Sequence, residues 1–373
     1  MKIIIDDKIP YIQGALEPFA EVIYLPGNKT TPEVVKDADA IITRTRTNCN
    51  EMLLAGSAVK FIATATIGYD HIDTDYCEKS GIAWTNAPGC NSKSVEQYIA
   101  SALMALAEKK NFNLKEKTIG IVGVGNVGSK VARLCEVFGM HVLLNDPPRA
   151  RTEGSTGFVE LDEILEKADI ITLHVPLNQD GEDKTYHLAD ESFFVKAKKQ
   201  PILINSCRGE VTDSLSMKSA IKSGQISGLV IDCWENEPGI DLELLDLADL
   251  ATPHIAGYSK DGKANGTMMS IRALSKFFGL GIDHWKCSDI ERPASTDIFI
   301  DGTGKNTQQV LAETIFSTYD IREDDKRLRA SVETFEKQRG DYPVRREFPA
   351  FNVFCKINNI KTINKLKQLG FRL

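Results

Sequence analysis

The sequence predicts an α/β protein made of two doubly wound, parallel-sheet domains followed by a smaller α+β segment. Three observations lead there. Short apolar strands alternate with helical patterns through the first part of the chain, a glycine fingerprint then opens a second run of the same alternation, and composition shifts near Lys286. Strands that alternate with helices form parallel sheets, because a parallel crossover needs a helix-sized connection.

In the first run, Lys2 to Ile5, Glu21 to Leu25, Ala40 to Thr43, Phe61 to Ala65 and Gly81 to Thr85 read as strands. Ligands of such sheets sit beyond the carboxyl ends of strands. Those ends carry Arg44-Thr45-Arg46, Thr64-Ala65-Thr66 and Asn86-Ala87-Pro88-Gly89. From Ser92 a helical run through Val95 to Met104 is apolar or small on nearly every side, which predicts burial.

The second run opens on Lys117 to Asp146. A β-branched strand meets Gly123-Val124-Gly125-Asn126-Val127-Gly128, a helix follows, and a second apolar run ends in Asp146. This is a dinucleotide fingerprint with both its strand and its acid. Gly123 permits the tight turn, Gly125 lets backbone approach a pyrophosphate, and Gly128 lets the helix pack on the strand. The helix N-terminus offers unpaired N–H groups to phosphate. Asp146 can accept from the ribose hydroxyls and would repel a 2′-phosphate, which favours NAD; Arg149 and Arg151 just beyond it keep NADP open.

Leu161 to Ala168 then reads as helix, Ile170 to Val175 and Ile202 to Asn205 as strands, Leu215 to Ser223 as helix, and Leu229 to Ile231 and Leu250 to Thr252 as strands. The segment Cys287 to Thr307 reads as a polar connection. Beyond it lie helical patterns over Gln308 to Tyr319 and Asp324 to Gln338, a strand at Asn352 to Ile357 and a helix at Ile363 to Leu369. A piece of this size is marginal as a core of its own. It is either an oligomerisation surface or a subdomain packed on its own subunit.

Composition narrows the class. With 42% hydrophobic and 26% charged residues in 373 the chain has enough apolar surface for two or three domains. A net charge of −7 argues against nucleic acid or an anionic membrane as partner. Eight cysteines without metal-ligand spacing read as reduced thiols of a cytoplasmic protein with no metal framework, and no apolar run approaches a membrane span.

Three polar clusters end strands of the second run: Asn205-Ser206-Cys207-Arg208-Gly209, Asp232-Cys233-Trp234-Glu235-Asn236-Glu237-Pro238 and Thr252-Pro253-His254-Ile255-Ala256-Gly257. Oxidising a 2-hydroxy acid with NAD needs a cation for the carboxylate, a base for the hydroxyl proton and a nicotinamide face for the hydride. Arg208 can grip a carboxylate through both nitrogens. Histidine titrates near neutrality, which suits His254 to the proton, and Glu237 can orient the imidazole. Singly, each could be an ordinary surface or core residue; together, each after a strand behind a dinucleotide fingerprint, they form a catalytic candidate. The remaining histidines lack such partners and read as structural, with His174, at a strand end, the exception kept open.

These clusters, with Gly68-Tyr69-Asp70-His71-Ile72-Asp73 and Asn86-Ala87-Pro88-Gly89-Cys90-Asn91, resemble the D-2-hydroxyacid dehydrogenase family over about residues 40 to 260. Asp146-Pro147-Pro148-Arg149-Ala150, Pro253-His254-Ile255-Ala256-Gly257-Tyr258 and Tyr342-Pro343-Val344-Arg345-Arg346-Glu347 are most similar to a branch acting on a small phosphorylated 2-hydroxy acid, and they extend the resemblance to nearly the whole chain. The resemblance implies a flavodoxin-like substrate domain (1–92 with 257–286), a Rossmann NAD domain (93–256) and a C-terminal dimerisation domain (287–373) that makes a homodimer. It implies Arg208, Glu237 and His254 as catalytic residues. It implies NAD contacts from Gly123, Gly125, Asn126, Val127, Gly128, Asp146, Val175, Ser206, Cys207, Arg208, Asp232 and Gly257, and substrate contacts from Thr45, Thr66 and Tyr258. Thr45 stands where serine is common, and Val175 where threonine is common, which removes one polar cofactor contact. Substrate is expected in the cleft between the first two domains, its phosphate on Arg44, Arg46 or Arg346. Two rivals remain: a dehydrogenase of the same family acting on 3-phosphoglycerate or glycerate and hydroxypyruvate, and an NAD-sensing interaction protein on the same fold.

Overall fold

The computed structural model describes residues 1–357 and 359–373, in two compact units. The first comprises Met1–Asn91 with Tyr258–Arg292, and the second Ser92–Gly257 with Pro293–Leu373.

The first unit holds five parallel strands, β1 (Lys2–Asp6), β2 (Glu21–Leu25), β3 (Ala40–Thr43), β4 (Phe61–Thr64) and β5 (Ala83–Thr85), in the order β2-β1-β3-β4-β5. The chain reverses its direction of winding between β1 and β3, the switch point at which open α/β sheets leave a crevice. Strands β3 and β4 are buried on both faces, as a sheet covered by helices on either side requires. One face packs Val35, Leu53, Leu54 and Ile72. The other is covered by the returning helix Lys260–Phe278 through Ile271 and Leu274. Ser259 caps that helix, accepting from Gly262 N, and Gly279 ends it at φ +70°.

The second unit carries six parallel strands, β6 (Thr118–Val122), β7 (His141–Asn145), β8 (Ile170–Leu173), β9 (Ile202–Asn205), β10 (Gly228–Ile231) and β11 (Leu250–Ala251), ordered β11-β10-β9-β8-β6-β7. In chain order this is 2-1-3-4-5-6, so the switch point falls between β6 and β8, where the glycine loop leaves β6. The adjacency of β9, β10 and β11 sets the three polar clusters side by side at one edge of the sheet. Helix Ser92–Lys109 is buried along nearly its whole length, as its all-round apolar pattern predicts.

The C-terminal stretch packs within the second unit. Leu328 and Phe335 enter the core formed by Ile171, Leu203, Leu229, Leu244 and Ala251. Two readings of this stretch are corrected. The supposed polar connection contains a strand, β12 (Asp297–Asp301), which pairs in parallel with β13 (Asn352–Lys356). Its sequence alternates, with Ile298 and Ile300 inward and Phe299 outward, but five residues of period 2 between polar neighbours are a weak signal. The helix expected over Asp324 to Gln338 is broken into Ile321–Ala330 and Phe335–Gly340. Ser331 is extended at the break, and its carbonyl accepts from Gln338 Nε2 at 2.8 Å.

Candidate active site

The centre of the second unit's site is built on the ends of β10 and β11. His254 stands three residues past β11 with its backbone in the left-handed region, φ +53°, a conformation rare for a residue with a Cβ. It is held there from several sides. His254 N donates to Asp232 O at 2.8 Å, and the two following amides, Ile255 N and Ala256 N, donate to Asp232 Oδ1 and Oδ2 at 2.8 and 2.9 Å. Thr252 Oγ1 donates to the same carboxylate at 2.6 Å and is bonded to Tyr98 Oη at 2.8 Å. Asp232 is 1% exposed. Burial raises its carboxyl above the usual range, against the pull of these bonds and of the nearby His254.

The imidazole is oriented by Glu237: His254 Nδ1 and Glu237 Oε2 are 2.8 Å apart. The other oxygen, Oε1, accepts from Trp234 N at 2.8 Å, so the carboxylate is fixed before it meets the ring. Trp234 is anchored in turn by its indole N–H on Thr252 O at 2.9 Å. Sequence reasoning passed over Cys233, whose Sγ lies within 4.8 Å of ligating atoms of both Glu237 and His254. Burial, then Asp232 and Glu237, hold its thiol well above the ordinary range, so it stays a protonated wall of the site.

Arg208 follows β9. Asn205 Nδ2 donates to its carbonyl at 2.9 Å, and its Nη1 donates to Cys207 O at 2.8 Å, which holds the guanidinium close to its own loop. Gly209 must be glycine, since a Cβ there would lie 2.0 Å from Trp234 O; the Arg208 and Trp234 loops touch backbone to backbone.

The glycine loop has three different demands. A Cβ on Gly123, at φ +87°, would fall 2.7 Å from the His174 carbonyl carbon, and one on Gly128 only 2.0 Å from Gly123 O. A Cβ on Gly125 would meet no protein atom within 4 Å. Packing therefore demands the first and third glycines, while the second faces open space where a pyrophosphate would approach. Asp146 Oδ2 accepts from Val124 N at 2.7 Å and Oδ1 from Arg149 N at 3.1 Å, tying the loop to the helix Pro147–Glu153. Ser206 Oγ is buried with no partner among the described residues, a polar atom that a ligand would satisfy. This frame fits a dinucleotide. Val175 and Gly257 lie at the two flanks of the same strand ends, after β8 and β11.

In the first unit Arg44, Thr45 and Arg46 follow β3, and Arg44 Nη1 donates to Lys8 O at 3.1 Å beside the switch point. Thr66 Oγ1 donates to Gly68 O at 2.8 Å, and Thr64 Oγ1 is 3.1 Å from His71 Nε2. Tyr258 carries Lys263 Nζ 4.6 Å from its ring centroid. Lys263 was not anticipated. Burial, then Arg44 and Lys260, lower it to about 8. Arg346 lies in the second unit, its carbonyl accepting from Gln97 Nε2 at 3.0 Å.

Two histidines need separate statements. His174, the exception kept open, is bonded to Thr172 Oγ1 at 3.0 Å, and burial lowers it to about 3, so it is neutral at physiological pH. His187 does have a partner, contrary to expectation: its Nε2 is 2.7 Å from Glu235 Oε1. Glu235 Oε2 also accepts from Ser214 N at 2.9 Å, at the start of helix Ser214–Ser223. The pair is separated by 48 positions, too far for a sequence reading to join.

The comparisons with known proteins agree with this architecture. Residues 92–256 match the model described as "D-isomer specific 2-hydroxyacid dehydrogenase, NAD binding domain", and residues 292–370 one described as a domain of unknown function. The chain is 53% identical over 354 residues to the erythronate-4-phosphate dehydrogenase of Bacteroides thetaiotaomicron, covering 95% of this chain and 99% of the relative. It is 43% identical to that of Proteus mirabilis, over 100% and 99% of the two chains. Among solved structures, D-lactate dehydrogenase from Aquifex aeolicus complexed with NAD and lactic acid is similar at a TM-score of 0.62 and 28% identity, over 78% of this chain and 100% of that one. The chain belongs to the erythronate-4-phosphate dehydrogenase family, a branch of the NAD-dependent, D-isomer specific 2-hydroxyacid dehydrogenases.

Proposed function

We propose that the protein oxidises 4-phospho-D-erythronate to (R)-3-hydroxy-2-oxo-4-phosphooxybutanoate with NAD, a step of pyridoxine 5′-phosphate (vitamin B6) biosynthesis in the cytoplasm. The observation that carries the chemistry is the His254–Glu237 pair at the end of β11, 2.8 Å apart, in a chain whose near-full-length relatives bear this name. When bound, NAD supplies the hydride acceptor. Gly123 to Gly128, Asp146, Ser206 and Asp232 are the residues that would hold or frame it.

In this reading Arg208 pairs with the substrate carboxylate and draws charge from the C2 oxygen. As the C2–H bond breaks, the O–H proton passes to His254 Nε2, the ring nitrogen turned away from Glu237, and the C2–O bond becomes a carbonyl. The Glu237 carboxylate stabilises the imidazolium that results. Thr45, Thr66 and Tyr258 contact the rest of the substrate. For its phosphate Arg44 and Arg46 are the first candidates, now with Lys263 beside Arg44, and Arg346 the alternative.

We further propose a homodimer formed through the C-terminal domain. The outward face of β12 and β13 supports it, with Phe299 and Phe354 stacked at 5.0 Å and respectively 74% and 52% exposed.

The test is NADH formation by purified protein with 4-phosphoerythronate, 3-phosphoglycerate and glycerate side by side, and with His254→Gln. Turnover of the first substrate alone, lost in the variant with NAD binding kept, is the expected result. Preference for 3-phosphoglycerate would reassign the substrate, and near-normal turnover by the variant would remove His254 from proton transfer.

A further inference from the structure

The dipeptide after His254 is gripped from two directions. Its two N–H groups go to the buried carboxylate of Asp232. Its two carbonyls go to one guanidinium: Arg345 Nη1 donates to Ile255 O at 3.3 Å and Nη2 to Ala256 O at 3.1 Å. Every backbone polar group of Ile255 and Ala256 is thus taken by one of two opposite charges lying about 110 positions apart in the chain.

Arg345 joins this loop to the helix Ser92–Lys109 and to Tyr319. It is 4% exposed. Its Nε donates to Gln97 Oε1 at 2.9 Å, and Nη2 also donates to Ser94 O. Its flat face lies 4.0 Å from the ring centroid of Tyr319, whose hydroxyl donates to Asp324 Oδ2 at 2.9 Å. A planar guanidinium with five donors can hold two successive carbonyls while stacked on a ring, and a lysine cannot. Such a desolvated cation is costly to bury, so a surrounding set of acceptors this complete marks a fixed point in the fold. Arg345 belongs to the stretch 292–370 matched as a domain of unknown function, whereas the loop it holds belongs to the NAD-binding domain.

We propose that this C-terminal domain serves the chemistry of its own chain, with Arg345 as a positioning residue that locks the His254 loop. The backbone of His254 sits at φ +53°, which costs free energy unless the surroundings enforce it. Asp232 fixes the loop on its amide side alone. Release of the carbonyl side lets Ile255 and Ala256 swing, and His254 Nδ1 then loses its 2.8 Å register with Glu237 Oε2. Small displacements of this kind reduce turnover far more than binding. The inference rests on the reading of His254 as the proton-transferring group.

The experiment compares Arg345→Lys, Arg345→Gln and His254→Gln in the full-length protein. For each it measures kcat, KM for NAD, thermal stability and amide exchange over residues 253–258. The expected result for Arg345→Gln is a kcat lower by about 10- to 100-fold, an unchanged KM for NAD and faster exchange in 253–258. Arg345→Lys, which keeps the charge, should recover part of the rate. A folded Arg345→Gln protein with parental kcat and exchange, beside an inactive His254→Gln protein, would overturn the positioning role alone. Unfolding of both Arg345 variants would reassign the residue to the fold and overturn it too. An active His254→Gln protein would instead overturn the functional reading beneath it.

Discussion

Glu237 Oε2 lies 2.8 Å from His254 Nδ1, and in the proposed reaction that contact decides which ring nitrogen is left for substrate. A carboxylate at Nδ1 keeps the proton there in the neutral ring, so Nε2 is the lone-pair nitrogen. Glu237→Gln removes the charge and keeps the shape. A carboxamide can turn either its oxygen or its N–H2 to the ring, so the tautomer is no longer fixed, and kcat should fall by roughly 10-fold or more with KM for NAD unchanged. Steady-state kinetics of both proteins checks this, and a parental kcat in the variant would rule out the orienting role.

The glycine loop separates packing from ligand binding. Gly128→Ala forces a Cβ to within 2.0 Å of Gly123 O, a contact between backbones that no rotamer relieves. It should cost at least about 1–3 kcal/mol, visible as a lower Tm. Gly125→Ala meets nothing within 4 Å and should melt as the parent does while weakening NAD binding, because the added methyl occupies the pyrophosphate's approach. Calorimetric titration and thermal melts on the two variants are the measurement. Equal NAD affinity in Gly125→Ala would mean that the cofactor lies elsewhere.

Much of this was legible in the sequence, for a physical reason. Strands buried on both faces are near-continuous apolar runs, so Ala40–Thr43 and Ile202–Asn205 have the same ends in sequence and structure. Residues that end such strands fall at one edge of the sheet by topology alone, which is why Arg208, Glu237 and His254 could be grouped without knowing a distance. What could not be read depends on contacts between distant segments. Nothing near Arg345 says that Ile255 lies against it, and its neighbour Arg346 carries the same charge in the same tail. His187 and Glu235 are joined only by the fold. Lys263 falls on a helix whose pattern says only that one side is buried; which cations share that side is a tertiary fact.

Lys263 gives a pH dependence. Burial, with Arg44 and Lys260 nearby, lowers it to about 8, so it is mostly charged at pH 7 and loses its charge as pH rises through about 8, well before an exposed lysine would. If it meets the substrate phosphate, KM for the phosphorylated substrate should rise over that interval while KM for NAD does not, and Lys263→Met should show the raised KM at pH 7 and lose the dependence. Parallel KM-versus-pH curves for parent and variant would assign the lysine to its stacking on Tyr258 and leave the phosphate to the arginines.

The C-terminal face offers the remaining test. Phe299 and Phe354 are directly paired across β12 and β13, with rings 5.0 Å apart and 15° from parallel, while Ile298, Ile300 and Val353 fill the opposite face. The inward residues give this small sheet its core, and the exposed outward rings lie outside it, adding only their cross-strand stacking. A second chain meeting the same face would bury both rings twice over by two-fold symmetry. Phe299→Ser with Phe354→Glu should therefore leave the Tm of a single subunit little changed but place like charges opposite one another at the symmetric contact. Sedimentation velocity at micromolar concentration should find the parent at the mass of two chains and the variant at that of one. A parent that sediments as a single chain, or a variant that still pairs, would mean that these rings are not the dimer contact.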